Sequence, residues 1–121
     1  MKTYNKLVRD KIPAVIKANG GKCEVHVATK EEFVPMLTQK LLEEVEELIE
    51  NPCAEEIGDV LEVIETIARL NNISLDEIKL AKINKKQERG GFNKRIILDS
   101  ASEFKVIKGK EYIKPGYIKG K

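Results

Sequence analysis

LLEEVEELIENPCAEEIGDVLEVIETIARL, residues 41–70, decides how this chain is read. Ten acidic residues fall between Leu41 and Ala68, with no Lys or Arg among them. Half of the chain's 20 acids therefore occupy one short stretch, where they repel one another unless a cation sits among them. Asn51-Pro52 breaks the stretch and places Pro at or near the start of a second helix. Before the break, Val34, Leu37, Leu41, Leu42, Val45, Leu48 and Ile49 recur at helical spacing. After it, Ile57, Val60, Leu61, Ile64, Ile67 and Ala68 do the same. Two helices joined by so short a link run antiparallel, and the stripes are expected to pack against each other.

At roughly 100° per residue, Glu44 and Glu47 lie to one side of the first stripe. Glu56 and Asp59 lie to the corresponding side of the second, so these four carboxylates are expected to converge on one edge of the hairpin. Glu43, Glu50, Glu55 and Glu62 are expected to point to solvent. A cluster built from oxygen donors alone, without His or thiolate, suits Mg²⁺, with Mn²⁺ as a substitute. On the residues alone a second reading stands beside it, a solvated acidic face on a helical bundle.

The chain has 121 residues, enough for one domain. With 35% charged residues, 5% aromatics and no Trp, it reads as mainly α. No apolar run reaches transmembrane length and the start, MKTYNKLVRD, lacks a signal-peptide core, so the expected location is cytoplasmic. Net charge is +2, yet outside the acidic stretch 22 basic residues face only ten acids. Basic surface around an acidic site suits a polyphosphate, and it suits nucleic acid in general. Cys23 and Cys53 form no ligand pattern and are expected to be reduced and buried. His26 stands alone, which argues against zinc, a His-assisted nucleophile, or the Glu-x-x-His pairs of a di-iron bundle.

Lys6, Arg9 and Lys11 cluster near the start, Asp10 is expected to cap a short helix with Pro13 in its first turn, and Asn19-Gly20-Gly21 ends it. Residues 22–28 alternate and predict a half-buried strand. Thr29 with Glu32, and Ser74 with Glu77, predict capping boxes for the first hairpin helix and for a further long helix. That last helix carries Lys85, Lys86 and Arg89 at its end, before Gly90-Gly91. Cations there suit the helix dipole, and they also suit phosphate. Residues 92–98 predict a strand that pairs with 22–28 as an accessory β hairpin, and 103–109 a further one. Beyond residue 98 the chain reads as a basic C-terminal extension, residues 99–121.

Taken in order, KLVRDKIP (6–13), EEVEE (43–47), EEIGDVLEV (55–63), KKQERGGF (85–92) and KRIIL (94–98) resemble a compact branch of the MazG-like nucleotide pyrophosphohydrolases, which are similar to phosphoribosyl-ATP pyrophosphohydrolase. The likeness covers residues 4–98, read as one domain spanning 1–98. It implies an all-α NTP-pyrophosphatase-like helical bundle, assembled as a homodimer or a higher homo-oligomer. It also implies Mg²⁺ held by Glu44, Glu47, Glu56 and Asp59. The implied reaction cuts a nucleoside triphosphate between the α- and β-phosphates to give a monophosphate and pyrophosphate. Glu44 or Glu47 would then act on water, and Lys86 and Arg89 on the departing pyrophosphate. Lys6, Arg9, Lys11 and Lys85 join them as candidate phosphate contacts. The gap between the two acidic motifs is short, as in that branch, and the residues after Leu98 lie outside the likeness. A catalytically silent nucleotide sensor and a basic nucleic-acid-binding module remain the competing expectations.

Overall fold

Four helices follow one another: α1 (Ile12–Ala18), α2 (Lys30–Glu50), α3 (Ala54–Leu70) and α4 (Leu75–Arg89). The computed structural model describes residues 1–102. The chain divides into two units, Met1–Asn84 and one from Lys85 onward. The predicted strand at 103–109 and most of the C-terminal extension lie outside the described residues.

The helix boundaries follow local chemistry. Thr29 caps α2 by accepting a hydrogen bond from the Glu32 amide at 3.2 Å. The Glu32 carboxylate does not complete the box, because it lies 2.9 Å from His26 Nε2. Ser74 Oγ accepts from the Glu77 amide at 3.1 Å at the start of α4. Asn71 and Asn72 close α3: Asn72 adopts φ 56, and the Ile73 amide reaches the Ala68 carbonyl at 2.8 Å. Gly20, at φ 83, does the same for α1, with the Gly21 amide on the Ile16 carbonyl at 2.9 Å. The cap of α1 is Lys11 rather than the expected Asp10, and it makes no side-chain hydrogen bond. Pro35 sits inside α2 and removes one backbone donor from its second turn.

Among the described residues there is no strand, so the accessory β hairpin is corrected. Residues 22–28 and 92–98 carry alternation but no paired edge, and a lone strand cannot satisfy its backbone. Val27 and Phe92 are each 96% exposed, so neither segment lies on a core.

α2 and α3 form the extensive helix–helix contact of the first unit, an antiparallel hairpin closed by Asn51, Pro52 and Cys53. The buried side takes in part of each apolar stripe: Leu37, Leu41, Val45 and Leu48 on α2 and Val60, Ile67 and Ala68 on α3 are buried or half-buried. The buried residues are Leu37 and Glu44 on α2 and Val63 and Ala68 on α3. Lys40, Leu41 and Leu48 flank the first pair half-buried, and Glu56, Asp59, Val60 and Ile67 flank the second. The buried positions extend from each apolar stripe toward the acidic side, where the segment carrying Lys6 and Arg9 also covers them. Val34, Leu42 and Ile49, with Ile57, Leu61 and Ile64, consequently remain exposed. Equal offsets on two antiparallel helices fall on the same edge, so the hairpin has an apolar face and an acidic edge on opposite sides of its seam.

Candidate metal centre

The acidic edge is built from consecutive turns of α2 and α3. On α2, one carboxylate oxygen from each of Glu43, Glu44 and Glu47 lies within 4.8 Å of the others. Oxygens on opposite sides of a Mg²⁺ ion are about 4.2 Å apart, so this spread is close to what one hard cation spans. Glu44 is the buried charged side chain among the described residues, at 7% exposure; the Lys40 charge reaches it and it shares a hydrogen bond with Glu47. Burial pushes its carboxyl above the ordinary glutamate value; Lys40 opposes this, and the Glu47 and Asp59 carboxylates add to it. Glu56 on α3 is raised as well, by desolvation first and then by Glu47 and Asp59, with Asp59 in hydrogen-bonding reach.

These couplings run across the hairpin. Asp59 of α3 acts on Glu44 of α2, and Glu47 of α2 acts on Glu56 of α3. The tight group, however, is Glu43, Glu44 and Glu47, with Glu56 and Asp59 as its electrostatic neighbours rather than its members. Glu43 is expected to face solvent, but Lys6 and Lys40 reach its carboxylate and it is half-buried. There burial would raise its carboxyl, but the hydrogen bond from Lys6 and the charges of Lys40 and Lys6 outweigh it and hold the group below the ordinary value. The missed cation is Lys40, 3.4 Å from Glu43; its position one turn before the acidic run was the available signal.

Two of the predicted phosphate contacts lie on this edge. Lys6 Nζ is 3.3 Å from Glu43 Oε1, and Arg9 donates to Asp59 Oδ1 at 2.8 Å. A shallow surface depression is lined by Lys6, Leu7, Met36, Gln39, Lys40 and Glu43. Lys11 stands apart, exposed at the start of α1. Lys85, Lys86 and Arg89 belong to the second unit, at the end of α4, where Arg89 Nε lies 3.5 Å from Glu88 Oε1. His26 is exposed and pairs with Glu32, away from any ligand set. Cys23 and Cys53 are free thiols, half-buried rather than buried. No helix among the described residues is long and apolar enough to cross a membrane.

Comparison with protein-family models, with curated proteins and with solved structures finds no match. The functional reading therefore rests on the residues and their geometry.

Proposed function

We propose that the chain is a Mg²⁺-dependent nucleoside triphosphate pyrophosphohydrolase of the MazG-like kind, releasing a nucleoside monophosphate and pyrophosphate. The observation that carries this reading is Glu44: a buried carboxylate facing Glu47 and Asp59, whose acting cation, Lys40, is shared with Glu43. A buried anion surrounded by anions is unfavourable unless a cation joins it, and four oxygen ligands favour a hard one. Glu44, Glu47, Glu56 and Asp59 are the residues that would hold Mg²⁺, with Mn²⁺ able to replace it. When bound, such a metal neutralises triphosphate charge and lowers the pKa of its water. Glu47, the exposed member, is suited to orient that water and accept its proton. Lys6 and Arg9, which lie on the acidic edge itself, are the cations suited to offset the charge that builds on the leaving pyrophosphate.

A second copy belongs to this proposal. Val34, Leu42, Ile49, Ile57, Leu61 and Ile64 are between 37% and 72% exposed on one side of the hairpin. Two such faces are self-complementary about a two-fold axis, which would bury them as a four-helix core.

The test is a panel of nucleoside triphosphates, canonical and damaged, with Mg²⁺ and with products separated. Pyrophosphate release is expected, and Asp59→Asn should reduce it by at least a hundredfold with unchanged far-UV circular dichroism. Full turnover by that variant overturns the site. Nucleotide binding without turnover supports a sensor instead, and salt-sensitive nucleic-acid affinity that survives Glu56→Ala supports the third reading.

A further inference from the structure

The segment before α1 carries cations to both helices of the hairpin. Lys6 pairs with Glu43 on α2, and Arg9 pairs with Asp59 on α3. Asp59 is half-buried at the seam, whereas the Arg9 side chain is 56% exposed. The guanidinium thus approaches from the solvent side, where a ligand would also approach. Asp59 in turn acts on Glu44 and Glu56, so the charge that Arg9 neutralises belongs to the whole acidic edge. The pair is a short charge-assisted bond, yet its exposure makes it weak enough to exchange.

We propose that Arg9 is an exchanging counter-ion: it balances Asp59 while the edge holds no metal, gives way to a divalent cation, and then turns its guanidinium to the phosphates of the substrate. This rests on the metal-centre reading above and adds a role for the first residues of the chain. Two positive groups cannot share the same carboxylate oxygens without repulsion, so Arg9 and the cation compete for Asp59. With the carboxylate occupied, the displaced guanidinium would be a planar fork without its acid, on the solvent side of the edge from which a polyphosphate would approach. Linkage then fixes opposite signs for two affinities. Arg9 opposes metal binding alone and favours metal binding together with a polyphosphate. Lys6 on Glu43 acts in the same sense as a point charge, without the bidentate geometry.

The experiment is calorimetric titration of the full chain with Mn²⁺ alone, and then with Mn²⁺ and a non-hydrolysable nucleoside triphosphate analogue. Wild type, Arg9→Ala and Arg9→Lys are compared. For Arg9→Ala, Mn²⁺ alone is expected to bind about twofold to fivefold more tightly, the range of a solvent-screened pair. The analogue is expected to bind at least tenfold more weakly, reflecting loss of a charge-assisted phosphate contact. Arg9→Lys should leave Mn²⁺ affinity near wild type and recover only part of the analogue affinity. A purely structural role would weaken both titrations together, and that result overturns the inference, as does unchanged Mn²⁺ affinity in Arg9→Ala. If wild type takes up Mn²⁺ neither alone nor with the analogue, the metal-centre reading itself fails. The two failures are thereby distinguished.

Discussion

Replacing Glu44 by Gln is expected to make the metal-free protein more stable at neutral pH, although it alters a buried residue on the main helix seam. Glu44 is 7% exposed and faces Glu47 and Asp59, while the nearby cation Lys40 is engaged with Glu43 at 3.4 Å. A buried charge without its partners costs on the order of 1–3 kcal/mol. Gln keeps the shape and turns one oxygen into a donor that Glu47 can accept, so about 1–2 kcal/mol should be recovered. For a domain of this size each kcal/mol moves Tm by roughly 4–8 °C. The sign with pH follows from the raised carboxyl. A group whose folded value lies above its unfolded one stabilises the fold fully below the ordinary value of 4.5, and loses that contribution as pH rises through the raised value. Wild type is therefore penalised at pH 7 and not at pH 4, and the gap between the two proteins should close on acidification. Thermal melts in EDTA at one fixed protein concentration, at both pH values, read this directly. Adding Mg²⁺ at about a hundred times its Kd should raise wild type by about 2.7 kcal/mol and the variant by far less, reversing the order. Two results would refute the reasoning: a Glu44→Gln protein less stable than wild type in EDTA at pH 7, or a gap that is the same at pH 4.

Three further outcomes are expected. Thr29→Ala should lose about 1 kcal/mol of stability in a denaturant melt, because the Glu32 amide loses the acceptor that caps α2. Gly58→Ala should gain about 0.5–1 kcal/mol, since the position is mid-helix and a Cβ there meets nothing within 4 Å. A fall in turnover despite that gain would mean that a ligand or a second copy comes close to Gly58. Leu61→Glu, 48% exposed on the apolar face, should weaken self-association at least tenfold; light scattering that gives the same mass as wild type at micromolar concentration would exclude that face as the interface between copies.

What was legible in the sequence was local. Thr29, Ser74, the Asn19-Gly20 end and the Asn71-Asn72 end each act within a turn of backbone, and each stands where its chemistry predicts. The strands failed for the complementary reason. Alternation at Cys23, Val25 and Val27 describes a face, but a strand also needs a partner from elsewhere in the chain, and periodicity carries no information about that partner. The direction of Glu43 failed in a related way. Its angle from the apolar stripe points outward, but Lys6 arrives from a distant segment and Lys40 from the preceding turn, and the stripe carries no information about either.

The placement of the buried side joins the fold to the proposed chemistry. Had α2 and α3 packed stripe against stripe, the hairpin would have been satisfied alone and its acids would have been ordinary surface. With the buried side extended toward the acids, Glu44 is buried facing Glu47 and Asp59 while Leu42, Ile49, Ile57, Leu61 and Ile64 are left in water. Both features are unfavourable in an isolated hairpin, and each is relieved by a different addition: positive charge on one edge and apolar surface on the other. Charge alone would leave the apolar face exposed, and apolar cover alone would leave the carboxylates in mutual repulsion. The two are also coupled, because packing a second copy on the apolar face fixes α2 against α3, and that fixes the distances among Glu43, Glu44, Glu47, Glu56 and Asp59. Cation affinity in this chain should therefore rise with protein concentration over the range in which copies associate.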